Sequence, residues 1–512
     1  MNKNLQLKMG SVLSYLQMAL NILIGILYTP LMLNLLGQSE YGLYSTVAST
    51  ISMLSILNLG FSAGYIKYYS KYRINGENEK IYKLNGLFIV IFSIIGLIAL
   101  ACGLFMTTNL ELFFSDGLSN SEYHTARILM LLLSIRMAIS FPLSVFSNII
   151  TAHERFIFIK ICGMISTVLS PLITLLLLFM GYGSIAMVVV MVVLGTITDL
   201  VYVYYVIVKL HQKFYFYEFE RRVCKELFTY TVFIAINIIV DQINWNIDKI
   251  LLARFKGTTM VAIYSVGYSL YVYYMSFSTS ISSVFTPRIH QIVNATEMDS
   301  KEQKKYLTEL FVKVGRIQFL ILGWIASGLV LFGKQFIVYF WAGINYEDSY
   351  YVMVLLTLSA SIALIQNLGI EIQRAENRHK FRSIAYAIMA IANLLLSIIL
   401  CQLYGAIGSA IGTALSLILA NGLVMNIYYH KRCNIDIVYF WKNIIVMSKG
   451  LVIPSVVGVI LNSLTKCNTV GSFVGAISLY SIVYFISVWI LSMNSTEKDL
   501  IKKPIMKVVK RK

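Results

Sequence analysis

LNGLFIVIFSIIGLIALACGLFMT, residues 84–107, runs for 24 residues without one charged side chain. At 1.5 Å of rise per residue a helix of that length reaches ~36 Å. The hydrocarbon core of a bilayer is ~30 Å thick. Inside hydrocarbon a single segment satisfies its own backbone N–H and C=O groups only as a helix. The stretch therefore predicts a membrane-spanning helix, and the rest of the chain repeats its pattern.

Comparable apolar runs lie at 11–35, 41–66, 124–150, 157–180, 184–208, 227–252, 260–287, 314–340, 350–372, 383–403, 406–429, 447–465 and 470–492. With 84–107 they predict an all-α integral membrane protein of about 14 spans. The composition agrees: 58% of the 512 residues are hydrophobic and 13% are charged. A soluble domain carries about 25% charged residues, so a water-facing surface for a chain this long is excluded. The longest polar stretches, near 291–309 and 493–512, have the size of a loop and a tail. The first apolar run passes 20 residues with no small-residue cleavage pattern, and reads as a true span rather than a signal peptide.

The charges predict an orientation. With the N-terminus inside, the outside segments hold five of the 42 Lys and Arg: Lys249, Arg254, Lys256, Lys334 and Lys466. Arg127 and Arg136 lie within spans, and the remaining 35 fall inside. That asymmetry follows the positive-inside rule, and an even span count returns the C-terminus to the inside. The net charge of +18 then belongs to cytoplasmic loops, and no nucleic-acid partner is implied. Six scattered cysteines form no CxxC, so neither a disulfide framework nor a metal site is indicated.

The halves resemble each other in order. Leu36-Gly37-Gln38-Ser39-Glu40-Tyr41-Gly42-Leu43-Tyr44-Ser45 joins spans one and two, as Phe255-Lys256-Gly257-Thr258-Thr259-Met260-Val261-Ala262-Ile263-Tyr264-Ser265 joins spans seven and eight. Ala152-His153-Glu154-Arg155-Phe156 precedes span five, and Ala375-Glu376-Asn377-Arg378-His379-Lys380-Phe381 precedes span eleven. Tyr182-Gly183-Ser184 and Gly405-Ala406-Ile407 open spans six and twelve. Six spans per repeat give both halves the same orientation, hence a pseudo-two-fold axis along the membrane normal with a cavity between two bundles. The expected division is an N-lobe at 1–222, a C-lobe at 223–432, and spans 13–14 with a basic tail at 433–512.

Charged and polar groups inside spans mark candidate sites, because an ionisable residue in hydrocarbon costs at least ~2.5 kcal/mol. Asn237, Asp241, Asn244 and Asp248 are spaced by four, three and four, which places them on one face of span seven, with Trp245 at its edge. Such a stripe reads either as a cavity wall or as glue between helices. Arg136, near the middle of span four, suits an anionic group such as a diphosphate through bidentate contacts. It equally suits a structural pairing with Asp199 or Asp241. Tyr264, Tyr268 and Tyr271 recur on one face of span eight, where aromatic rings either stack on sugars or simply pack.

Several activities lack their signatures. No GxxxxGK[ST] phosphate loop, HExxH or GxSxG occurs. The longest outer loop, near 108–123, is too short to hold a catalytic domain. An enzyme is not expected, and no cofactor is implied.

Taken together, Leu36-Gly37 to Tyr44, Leu57-Asn58-Leu59-Gly60-Phe61, Asp248-Lys249-Ile250-Leu251-Leu252 leading to Ala262-Ile263-Tyr264-Ser265, and Gly405 to Thr413 carry a family resemblance over the whole chain. The chain resembles the polysaccharide-biosynthesis branch (Wzx-type oligosaccharide flippases) of the multidrug/oligosaccharidyl-lipid/polysaccharide exporter superfamily. The resemblance implies two six-helix lobes around a central cavity, two additional helices and alternating access. It implies a polyprenyl-diphosphate-linked oligosaccharide as cargo, membrane lipids as surroundings, and Na⁺ or H⁺ as a candidate coupling ion. A cavity arginine meeting the diphosphate would here be Arg136. The expected substrate-binding set is Arg136, Asn237, Asp241, Asn244, Asp248 and Tyr268. A drug exporter of the same superfamily is the main rival, and would show an acidic site in the first lobe. A glycosyl-polymerase would need a larger outer loop. A major-facilitator transporter would carry a Gly/Asp/Arg-rich loop where this chain has Lys71-Tyr72-Arg73-Ile74-Asn75-Gly76-Glu77.

Overall fold

The structure, a computed structural model, describes residues 3–114, 118–217, 221–293, 300–376, 378–465, 467–499 and 502–503. Among these residues every regular element is a helix. The first eight are α1 (Lys3–Ser52), α2 (Phe61–Ile74), α3 (Asn78–Thr108), α4 (Asn120–Ala152), α5 (Phe156–Phe179), α6 (Gly183–Tyr204), α7 (Arg221–Lys256) and α8 (Thr258–Val293). Seven follow: α9 (Ser300–Gln335), α10 (Ser349–Ile365), α11 (Leu368–Ala375), α12 (His379–Leu417), α13 (Asn426–Lys431), α14 (Ile437–Thr465) and α15 (Val470–Leu491).

Ten stretches of the described residues are long and apolar enough to cross a membrane. Two are far longer than one crossing, Val12–Ile74 at 63 residues and Lys380–Lys431 at 52. Each doubles back at a glycine whose backbone leaves the helix, Gly37 (φ 75°, ψ 173°) in α1 and Gly405 (φ 59°, ψ −133°) in α12. α7 and α8, 36 residues each, are long enough for one crossing apiece and stand outside those ten. Counted as crossings, these bring the total to the expected fourteen.

The reversing glycines give the sequence repeat a backbone counterpart. Gly37 and Gly257, 220 positions apart, both take positive φ (75° and 84°) between paired helices. Gly183 and Gly405 do the same with φ of 62° and 59°. L side chains are strained there and glycine is not, so each half reverses direction at the same two places.

By compactness the chain forms two units: residues up to Ser265 with Leu394–Ser409, and Val266–Asn393 with Ala410 onward. The boundaries between these units fall inside α8 and α12.

In the first unit an aromatic core of Phe61, Tyr65, Tyr69, Phe88 and Phe92 fills the space between α2 and α3. The Tyr65 hydroxyl donates to Asn85 Oδ1 (2.6 Å), and Asn85 Nδ2 donates to the Lys213 carbonyl (3.1 Å), so the buried amide is satisfied. α3 and α4 approach closely because Gly96 and Gly103 share a face of α3. A Cβ at Gly103 would overlap the Ser134 hydroxyl, and one at Gly96 would lie 2.5 Å from the Ala138 carbonyl. Small residues that let backbones approach are how helices pack where no hydrophobic force acts between them.

At the Gly37 turn, Ser39 bonds both Glu122 and Thr258 Oγ1, the latter at 2.8 Å. Glu40 Oε1 accepts from the Ser184 N–H (2.6 Å) at the start of α6, where free amides and the helix dipole favour an anion.

In the second unit α14 and α15 pack on α9. Phe332, Tyr480, Tyr484 and Val488 form their core. Arg316 of α9 is 5% exposed and pairs with Glu497, 3% exposed, through Nε–Oε1 (2.5 Å) and Nη2–Oε2 (2.9 Å).

Candidate functional site

α4 carries Arg136, and helical spacing decides where it points. Ser134 and Ala138 face α3. Arg136 lies two residues from each, about 200° round the helix at 3.6 residues per turn, and so turns away from α3. Its Nη1 lies 2.8 Å from Asp199 Oδ2 on α6. Gly195, one turn before Asp199, completes the seat: a Cβ there would lie 2.8 Å from Arg136 Nε and 2.9 Å from Nη2. α6 thus offers a carboxylate and a recess on the same face. The pair is partly open, with side-chain exposures of 19% and 17%.

The α7 stripe does not share one environment. Asp241 is exposed, and Asn237 and Asn244 are half-buried. Asp248 is 1% exposed. Its Oδ2 accepts from the Tyr264 hydroxyl (2.7 Å) and its Oδ1 from the Ser409 hydroxyl (2.7 Å). It ties α7, α8 and α12 together within the first unit. Asp248 is therefore helix–helix glue and not a cavity wall. The reason is local: α8 and α12 each bring a hydroxyl donor to its carboxylate. Asn237, Asp241 and Asn244 are more open than Asp248.

On α8, Tyr264 serves Asp248 while the later tyrosines belong to the second unit. Tyr274 is buried with its hydroxyl 2.7 Å from Ser361 Oγ, and Tyr271 is buried with its hydroxyl on Met275 Sδ. Tyr268 stays half-buried, its ring 5.7 Å from that of Tyr271. Two of these three rings pack, and Tyr268 retains an open edge. Among the described residues no group of three or more His, Cys, Asp or Glu is placed to hold a metal ion.

The sequence profile described as "Polysaccharide biosynthesis protein" matches residues 7–293, more than half of the chain. The chain belongs to the polysaccharide biosynthesis protein family. A search of curated proteins finds no match. Among solved structures, this family member is similar to a lipid II flippase, MurJ, in an inward closed conformation: TM-score 0.71, 16% identity, 97% of this chain and 99% of that chain. It is also similar to an inward-facing multidrug resistance MATE family transporter of the MOP superfamily, at TM-score 0.63, 14% identity, 83% of this chain and 96% of that chain. The MATE multidrug transporter DinF-BH matches at TM-score 0.60 and 16% identity, over 83% of this chain and 95% of that chain. At these identities the likeness is one of fold, the multi-pass helical fold of MOP-superfamily flippases and exporters.

Sequence reasoning on this family member missed polar groups outside the stripe. On α7, Asn246 Nδ2 donates to Gln242 Oε1 (2.6 Å) and the Ser52 hydroxyl donates to Asn246 Oδ1 (3.0 Å). The i, i+4 spacing of Gln242 and Asn246 was the available signal. Tyr69 bonds His153 and Gln212 across helix ends, a set no spacing rule joins.

Proposed function

We propose that this polysaccharide biosynthesis family member is a flippase. On this reading it carries a polyprenyl-diphosphate-linked oligosaccharide across the cytoplasmic membrane by alternating access, with both termini cytoplasmic. The family match over residues 7–293 carries the proposal. The physical demand agrees: a polar sugar head crosses hydrocarbon only along a hydrated path, while its lipid tail remains in the bilayer.

Within that reading Arg136 is the diphosphate contact. A guanidinium stays protonated at any physiological pH and offers paired donors to phosphate oxygens. In the structure it rests on Asp199, which holds it in place between cargo molecules. Asn237, Asp241, Asn244 and Tyr268 supply polar and aromatic contacts to the sugars, and a Na⁺ or H⁺ gradient is the candidate drive.

Multidrug export is the second reading, favoured by the fold likeness to MATE transporters. Those matches leave uncovered a share of this chain close in size to residues 433–512, whereas the lipid II flippase matches nearly all of it. Deleting the gene in its own host separates the two. The flippase reading expects loss of surface polysaccharide and accumulation of lipid-linked oligosaccharide on the cytoplasmic face. Unchanged polysaccharide with raised drug sensitivity would establish export instead.

A further inference from the structure

A cleft of about 460 Å³ opens in the first unit where α2 ends, α4 turns into α5 and α1 begins. Arg73 and Arg155 line it, with the hydroxyl-bearing Ser70 and the amide of Gln6. Arg73 is set in place by its own bond, Nη1 donating to the Ala152 carbonyl at 3.0 Å. His153 caps α4, its Nδ1 3.0 Å from the Ile149 carbonyl and its ring beside the Tyr69 hydroxyl. Burial, with the adjoining Arg73 and Arg155 charges, pushes His153 below the ordinary histidine range. The positive charge of the cleft at neutral pH therefore rests on the two guanidiniums, with the Glu154 carboxylate opposing them.

Two observations point to a ligand with an apolar part. Ile74, at the rim, is 85% exposed. The cleft also lies at the ends of membrane-crossing helices, the level at which lipid headgroups sit.

The internal repeat provides a comparison. Arg155 corresponds to Arg378, as Ala152 does to Ala375. In the second copy Arg378 bonds the Arg432 carbonyl and sits 3.5 Å from Glu376. Phe381 stacks on Tyr428 at 4.2 Å beside it. That copy engages its arginine with Glu376 and the carbonyl at the end of α13, whereas the first copy presents it to an open cleft.

We propose that this cleft holds the phosphate of an anionic membrane lipid, with Arg73 and Arg155 as its charged contacts and Ile74 against the start of an acyl chain. Guanidinium forks match phosphate oxygens in pairs, and basic groups at a membrane surface select anionic lipid. The site is separate from the proposed cargo path and does not depend on it.

Native mass spectrometry of the purified full chain tests this, with phosphatidylglycerol or phosphatidylcholine added in equal amounts. Wild type should retain phosphatidylglycerol preferentially, and each arginine removed should cut retention about fivefold. Arg73→Gln with Arg155→Gln should bring it to the phosphatidylcholine level, while Lys442→Gln, which removes an exposed charge on α14 outside the cleft, should change nothing. Arg155→Gln leaves the Arg73–Ala152 bond in place and keeps the test usable if the double variant is unstable. Equal retention in wild type and Arg155→Gln would overturn the proposal. So would occupancy by inorganic phosphate with no preference between the two lipids, which would make this a site for a soluble anion.

Discussion

Arg136 shows what one residue can and cannot announce. Its position within an apolar span signals a partner, and Asp199 is that partner at 2.8 Å. Removing one member of a buried pair costs about 3–5 kcal/mol. This pair is about one-fifth exposed, so solvent offsets part of that. We expect Arg136→Ala to lower thermal stability in detergent by about 1–3 kcal/mol, with Arg136→Ala/Asp199→Ala recovering part of the loss. Surface glycan should stay low in that double variant if Arg136 also meets cargo. Normal glycan in a well-expressed Arg136→Ala protein would remove its binding role. At Asp248 the expectation is purely structural. Tyr264→Phe deletes one of its two hydroxyl donors and should cost about 1 kcal/mol, whereas Asp248→Ala leaves two buried donors without their acceptor and should cost about 3 kcal/mol. Equal losses from the two variants would show that the carboxylate is not the centre of that tie.

Between elements, close approach of backbones does the work that hydrophobic burial does in water. Gly103 of α3 faces Ser134 of α4 so closely that no Cβ fits between them. Gly103→Ala should therefore reduce membrane abundance several-fold. Adding Ser134→Gly moves the missing volume to the other helix and should restore most of it. If the second substitution worsens the first, the Ser134 hydroxyl matters for more than space. The Gly37 turn separates two reasons for glycine. Gly37 has open space around it, but its φ of 75° and ψ of 173° lie in a region that essentially only glycine adopts, so Gly37→Asn should lower membrane abundance through backbone strain alone. At Gly42 a Cβ would overlap the Thr258 carbonyl, so Gly42→Ala should be poorly tolerated, as read by the same abundance assay.

For the whole molecule, the orientation proposal predicts which loops face which compartment. In a cysteine-free background, Ser119→Cys should react with an impermeant maleimide in intact cells, and Asn78→Cys only after permeabilisation. The reverse pattern would invert the protein in the membrane. The C-terminal segment also has a measurable place. Ending the chain before Asn494 would leave Arg316, 5% exposed, without Glu497. That truncation should destabilise by about 3 kcal/mol or more, seen as lost abundance and partly relieved by Arg316→Met.

The sequence by itself determined the architecture of this protein. Apolar length specifies each crossing, because hydrocarbon leaves a single segment no form but a helix. Glycines at matched offsets mark where each half reverses, because positive φ is a property of one backbone position and needs no distant partner. The family was legible in the same local patterns. The site was legible only as a set of candidate residues. Helical spacing placed Asn237, Asp241, Asn244 and Asp248 on one face of α7. What each member meets depends on neighbours far away in the chain: Ser409 arrives 161 positions later to bury Asp248. The same limit hid Gly195, whose value to Arg136 is the absence of a side chain on a different helix. Spacing along one helix says which residues share a face. Only the tertiary structure decides what that face touches, since contact is set by packing between segments that sequence order does not relate.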